Sequence, residues 1–278
     1  MYYNLNDFFL DPVALKVGPV VVRWYALAYI AGLFLGWRYC ALLLRRAPFV
    51  MGSQQLEDLL FYATIGVIVG GRLGYVLFYN PVYFFYNPLE ILMIWRGGMS
   101  FHGGLLGVFG VGLIISYKKN IPLLPLTDLL AVAAPIGLFF GRVANFINGE
   151  LFGRVSNAPW AVIFPNGGPL PRHPSQLYEA ALEGLLLFTL LSVLAFFTKV
   201  RHCPGILTSI FLIGYGTTRA MVEFFREPDP QLGFFIEYFT MGHLLCLPMI
   251  VVGIILFRYS IKYLSGLNDR NLITPNDK

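Results

Sequence analysis

Seven stretches of predominantly apolar residues, each about twenty long, follow one another along the chain near 20–44, 56–79, 99–117, 128–147, 176–198, 205–225 and 238–257. A hydrocarbon layer about 30 Å thick needs roughly 20 helical residues to cross it, and a crossing segment must satisfy its own backbone polar groups. Continuous runs without a ten-residue alternation specify helices and exclude a transmembrane β-barrel. Composition agrees, since 13% of the residues are charged, against roughly 25% in a soluble domain, and the mean hydropathy is +0.66. The expected fold is all-α: a polytopic membrane protein of about seven transmembrane helices, forming one integral membrane domain over 1–278.

The 20 Lys and Arg exceed the 15 Asp and Glu by five, but the cations gather in short loops, so nucleic acid is not an expected partner. Arg45 and Arg46 follow the first run, Lys118 and Lys119 the third, Lys199 and Arg201 the fifth, and Arg258 and Lys262 the seventh. Basic loops stay cytoplasmic, which places the N-terminus extracytoplasmic and a polar tail over 265–278 in the cytoplasm. Asp7 and Asp11 precede the first run without a basic leader, so the first span is expected to act as its own insertion signal. The longest outer connection, 148–175, is rich in Gly, Pro and Asn yet holds Trp160, Ile163 and Phe164, and reads as a small extracytoplasmic cap. Cys40, Cys203 and Cys246 lie in or beside apolar runs without metal or redox spacing, so they are read as packing residues, and neither metal nor cofactor is expected.

Polar residues inside the runs carry the functional signal. The sixth run, GILTSIFLIGYGTTRAMVEFFREPD, sets Tyr215, Arg219 and Glu223 four residues apart, with Arg226 three further on, all on one helical face. A charge at the bilayer centre costs about 2.5–3.5 kcal/mol on insertion scales, so either Arg219 and Glu223 merely pair while Arg226 reaches the headgroups, or the face is a functional polar wall. The wall is the favoured reading. The fourth run ends GLFFGRVANFINGELFGR, where Arg142 and Asn145 share a face with donors suited to phosphate oxygens. Asn148 and Glu150 follow, and Gly141, Gly149 and Gly153 allow sharp turns and close approach. The plainer alternative is a snorkelling arginine with asparagines ending the helix.

The third run opens RGGMSFHGGLLG, which sets His102 between glycine pairs; its ring would be accessible and able to exchange a proton near neutrality, although a lone histidine is commonly structural. The fifth begins RHPSQLYEAALEG, with Pro174 and Ser175 at a helix start and Gln176, Glu179 and Glu183 on the first turns, where carboxylates also complement the helix dipole. Arg23, Trp24 and Tyr25 in VVRWYALAY match an interfacial belt. With the sidedness above, His102, Arg142, Asn145, Glu150, His173, Glu179, Arg219, Glu223 and Tyr25 all fall in the outer half. One pocket with arginines for an anionic headgroup would collect them.

At these residues the sequence resembles the prolipoprotein diacylglyceryl transferases, over nearly the whole chain and in order: RWYALAY (23–29), GGRLGYVLFYN (70–80), FHGGLLG (101–107), GRVANFINGELFGR (141–154), RHPSQLYEA (172–180) and YGTTRAMVEFFREPD (215–229). The fourth of these corresponds to the family signature. The resemblance implies a multi-pass enzyme of the bacterial plasma (inner) membrane that moves the sn-1,2-diacylglyceryl group of phosphatidylglycerol onto the lipobox cysteine of a preprolipoprotein. A thioether forms and glycerol phosphate leaves. It implies that Arg142 binds phosphatidylglycerol with Asn145, Glu150 and Gly153 beside it, and that Tyr25, His102, Arg219 and Glu223 are catalytic. Its partners would be phosphatidylglycerol, the preprolipoprotein signal peptide and membrane lipid, with no cofactor. For removing the thiol proton, His102 is favoured over Glu150 or Glu223 on its intrinsic pKa. The rival classes are a membrane lipid transporter, disfavoured by the absence of evident repeats and by one-sided polarity, and a non-enzymatic lipid-binding scaffold, which would not need His102.

Overall fold

A computed structural model describes residues 3–5, 12–18, 20–228, 234–236 and 239–272. Asp7, Asp11 and tail residues 273–278 lie outside the described set. The helices are α1 (Trp24–Leu44), α2 (Ser53–Phe78), the short α3 (Pro81–Tyr86), α4 (Phe101–Lys118), α5 (Leu123–Ile147), α6 (Ser175–Glu179), α7 (Leu187–Phe197), α8 (Ile206–Glu223) and α9 (Met241–Leu272). A π-helical stretch, Ala180–Leu186, joins α6 to α7. Among the described residues, seven long helical stretches therefore occupy the seven apolar runs, with α6, the π stretch and α7 counting as one.

Five of them, Trp24–Leu44, Ser53–Phe78, Leu123–Ile147, Ser175–Phe197 and Met241–Lys262, are long and apolar enough to cross a membrane by length and composition. The α4 segment His102–Lys118 is a shorter apolar helix, and the 18-residue α8 carries Arg219 and Glu223. Boundaries differ from expectation at both ends. Val20 to Val22 do not start a helix; with their β-branched side chains they form β3 (Val20–Arg23), antiparallel to β2 (Val13–Val17). At the other end α9 continues past Ser265 to Leu272, so the first part of the expected polar tail is helical.

The chain divides into two compact units, Met1–Tyr39 with Thr127–Lys278, and Cys40–Leu126. In the second, α2 and α4 meet through glycines at four-residue spacing. A Cβ on Gly66 would lie 2.8 Å from the Gly107 carbonyl oxygen, and one on Gly74 would lie 2.8 Å from the Gly103 Cα. Small residues let apolar helices approach closely enough for dispersion and backbone contacts to hold them without a hydrophobic drive. The Ser100 amide donates to the Gly71 carbonyl at 2.8 Å, and its hydroxyl oxygen accepts from the Gly103 amide at 3.2 Å, capping α4.

In the first unit, Tyr39 of α1 donates to Ser192 of α7 at 2.7 Å. Buried Asp128 on α5 accepts from the Gly205 and Thr208 amides and from the Thr208 hydroxyl, each at 2.7 Å, and so caps α8 from a neighbouring helix. The connection between α5 and α6, called the cap below, is folded. Its β4 (Val162–Ile163) pairs in parallel with β1 (Tyr3–Asn4), and Leu5, Val162 and Phe164 form a small core flanked by Phe146 and Phe152. Arg172 closes it, donating to the Gly167 carbonyl at 2.9 Å, facing Glu227 at 3.1 Å and lying over the Phe152 ring. Cys40 and Cys246 are buried and Cys203 half-buried, and all three are free thiols.

Candidate active site

Arg142 and Asn145 leave α5 on one face, and the chain then turns sharply through left-handed residues Gly149 (φ +64°) and Leu151 (φ +59°). The turn folds Glu150 back. Its carboxylate accepts from the Asn145 side-chain amide at 2.9 Å and from Asn148 at 3.3 Å, and its carbonyl accepts from Gln176 at 2.7 Å. The Asn145 amide, expected to face phosphate, is thus engaged by Glu150.

Glu179 and Glu183 have no exposed side-chain surface and form the anionic centre of the site. Arg142 reaches Glu179 at 3.2 Å with one terminal nitrogen and Glu183 at 3.4 Å with the other. Arg219 from α8 faces Glu179 at 2.7 Å and Glu223 at 2.6 Å, and Arg226 approaches Glu179 at 3.3 Å. Glu223 also accepts from the Thr240 hydroxyl at 2.6 Å, and the Thr240 amide donates to His243 Nδ1 at 3.3 Å. Gly242 allows that closeness, because a Cβ there would collide with the Glu223 carboxylate. Three arginines and three glutamates compensate one another, which is what permits six ionic groups away from bulk water.

The plainer alternatives do not describe these side chains: Arg226 is buried against Glu179 instead of reaching for headgroups, and Glu179 and Glu183 meet the arginine cluster and do more than complement a helix dipole. The π stretch beginning at Ala180 widens the turn between those two carboxylates, a distortion that recurs at functional sites. The cluster is compensated yet not closed. Arg142 and Arg219 keep 17% and 15% of their side-chain surface, and a guanidinium has five N–H donors, of which the carboxylates occupy a part.

Residues 12–259 match the family model described as prolipoprotein diacylglyceryl transferase. The chain belongs to that family. It is 57% identical over 250 residues to the phosphatidylglycerol–prolipoprotein diacylglyceryl transferase of Rhodospirillum rubrum, covering 89% of this chain and 91% of that protein. It is 56% identical over 255 residues to the enzyme of the same name from Paramagnetospirillum magneticum, covering 91% and 94%. The Azospirillum brasilense enzyme is 56% identical over 248 residues, covering 88% and 92%.

In this transferase the remaining residues singled out from the sequence are distributed as follows. Tyr25 sits on the first turn of α1 with its ring against Tyr29, centroids 5.1 Å apart; among the described residues it makes no bond to the arginine cluster. His102 lies in the other compact unit, exposed on the first turn of α4. The glycines that follow it serve helix packing as well: Gly103 packs on Gly70 and Gly74, and Gly104 on Val67. Gly153 also packs, since its amide donates to the His173 carbonyl at 2.8 Å and a Cβ would lie 2.5 Å from the Phe225 carbonyl oxygen. That crossing ties the cap to the end of α8, as does the Arg154 amide on the Phe225 carbonyl at 2.8 Å.

His173 Nδ1 lies 3.1 Å from the Tyr178 hydroxyl, which accepts from the Trp160 indole at 2.6 Å. Burial lowers the His173 pKa. Thr240 and His243 escaped the sequence reading; the only trace of them is the polar pair in TMGH at the start of an otherwise apolar run.

Proposed function

We propose that this transferase moves the sn-1,2-diacylglyceryl group of phosphatidylglycerol to the lipobox cysteine thiol of a preprolipoprotein, in the plasma membrane of a bacterium. Support comes from one observation above all: Arg142 and Arg219, from two helices, converge on the same buried carboxylate while each keeps donors to spare. A phosphodiester placed there would take bidentate bonds from planar guanidinium groups, and the charge developing on the departing phosphate would be held in a site of low dielectric.

In the proposed reaction the cysteine sulfur attacks the glycerol carbon bearing the phosphate. A C–S bond forms, the C–O bond to phosphorus's oxygen breaks, and glycerol phosphate departs with the electron pair. The thiol proton goes to a base, a role we assign to His102 because imidazole is a competent acceptor near neutrality and the family resemblance marks that position. Glu223 is held by Arg219 and Thr240 and serves to orient the guanidinium. Asn145, Glu150 and Gly153 shape the turn behind Arg142, and Tyr25 is assigned to the same reaction on the resemblance alone. The basic loops favour an extracytoplasmic N-terminus and a cytoplasmic C-terminus, which puts the α5–α6 cap on the outer face.

The test is to incubate the purified protein in phosphatidylglycerol vesicles with a lipobox peptide and weigh the product. A mass gain of one diacylglyceryl group, absent when phosphatidylglycerol is replaced by phosphatidylcholine, is expected. His102→Gln should bind phosphatidylglycerol and leave the peptide unmodified. An unmodified peptide with the wild-type protein, despite saturable lipid binding, would turn the reading to a lipid-binding scaffold.

A further inference from the structure

Residues 79–98 join α2 to α4 within one compact unit and hold none of the residues assigned to the transfer above. Their backbone is irregular: α3 is followed by two short 3-10 turns, Pro88–Leu92 and Ile94–Arg96, and by left-handed Gly97 and Gly98. Such turns leave carbonyl groups without partners of their own. One side chain collects them. Arg72, buried on α2, donates through Nε to the Ile91 carbonyl at 2.8 Å, through one terminal nitrogen to Gly97 at 2.5 Å and Gly98 at 3.1 Å, and through the other to Glu90 at 2.6 Å and Met93 at 3.4 Å. Its guanidinium also lies over the Phe84 ring at 5.1 Å.

The opposite side of the segment is apolar and open. Phe85 is 81% exposed, Leu89 77% and Trp95 76%, with Val82, Tyr86 and Leu92 similarly bare. Glu90 and Arg96 are the charged residues between 79 and 96, and they pair with each other at 2.8 Å. The Tyr83 hydroxyl donates to Glu90 at 2.8 Å, and with Arg96 it holds that carboxyl below its usual range. Exposure also marks the end of α2 that leads into the segment, at Leu77 and Phe78, and Tyr79 beyond it.

We infer that residues 79–96 lie in the headgroup layer of the bilayer as an interfacial anchor, with the aromatic face on lipid and the carbonyls held by Arg72. Aromatic rings with polar tips favour that layer. Irregular backbone survives near hydrocarbon where its polar groups are satisfied within the protein, as the Arg72 guanidinium does here. The anchor would set the depth of α4, which begins at Phe101. This inference does not depend on the proposed reaction.

The experiment places a polarity-sensitive NBD label on Leu89→Cys in a Cys203→Ser background, reconstituted in vesicles of phosphatidylglycerol and phosphatidylcholine. Gln54→Cys, exposed in a polar stretch, gives the water-facing standard. Relative to that standard, the Leu89→Cys label should emit to the blue, be quenched by lipid carrying a shallow nitroxide, and resist iodide supplied on both sides. Iodide quenching equal to the standard, without nitroxide quenching, would place the segment in water and overturn the inference; shielding from both quenchers would overturn it too and make a second copy the occupant. In the same vesicles Arg72→Ala should become cleavable by trypsin after Arg96 where the unsubstituted protein is resistant. If Arg72→Ala does not fold, the labelled protein, which retains Arg72, still decides the matter.

Discussion

Glu179 has no exposed side-chain surface and three guanidinium groups at 2.7–3.3 Å, so it is the residue on which the charge balance of the site turns. Glu179→Gln keeps the volume and one acceptor but leaves an uncompensated buried cation; losses of roughly 3–5 kcal/mol are typical for a broken buried pair. Thermal unfolding in detergent should show that loss, together with abolished diacylglyceryl transfer. Unaltered unfolding would mean that the cluster is far better hydrated than its burial implies. Arg142→Lys preserves charge but loses the fork that reaches Glu179 and Glu183 at once, and transfer should fall by one to three orders of magnitude, about the loss seen when a single transition-state donor is removed. Arg142, Arg219 and Glu223 were legible in the sequence because charge inside an apolar run is conspicuous. The pairing of Arg219 with Glu223 was legible too, four residues apart on one helix, but their common partner was not, since Glu179 reaches all three arginines only through the packing of α6 against α8 and the end of α5. The glycines around His102 show the same limit: sequence shows that Cβ atoms are missing, while the reason, the approach of Gly66, Gly70 and Gly74, belongs to another helix.

The start of α8 is finished by a neighbour. Asp128 gives α8 three bonds at 2.7 Å from a different helix, and nothing in its local sequence announces that. Removing a cap of this kind costs roughly 1–2 kcal/mol. Asp128→Ala should therefore lower the unfolding midpoint while leaving transfer at low temperature intact, a split that assays at two temperatures would reveal. The cap offers a second check. Burial holds the His173 pKa below the ordinary 6.5. The unfolded cap then binds a proton first, so its stability is complete above the ordinary value and declines as pH falls through it toward the lower folded value. The protection of residues 153–173 against hydrogen exchange, taken relative to the intrinsic rate at each pH, should fall from about pH 8 to about pH 5, and His173→Gln should flatten that dependence. The positions of the long helices were readable beforehand to within a few residues because the solvent imposes run length. The departures at Val20–Val22 and beyond Ser265 arise where that constraint ends.

On the scale of the whole chain, the cations at Arg45, Lys118, Lys199 and Arg258, each at or beyond one end of an apolar run, are the reason for the proposed orientation. A reporter fused after Lys278 should be shielded in intact cells and reached only after permeabilisation. Labelling of that reporter from outside would reverse the sidedness of every loop.

The parallel pairing of β1 with β4 has a bearing on how the protein is made. Tyr3 and Asn4 find their partners about 160 residues further along, beyond four long helices. At elongation rates of about 5–20 residues per second, the opening strand waits roughly ten to thirty seconds before β4 exists to receive it. Through that interval the first residues are held back from their final place while the helices between are inserted, so the cap is finished only after much of the membrane domain has been threaded. A ribosome stalled before Phe164 would leave the core around Leu5 unbuilt, and the nascent chain would show it as protease sensitivity at its beginning rather than at its growing end.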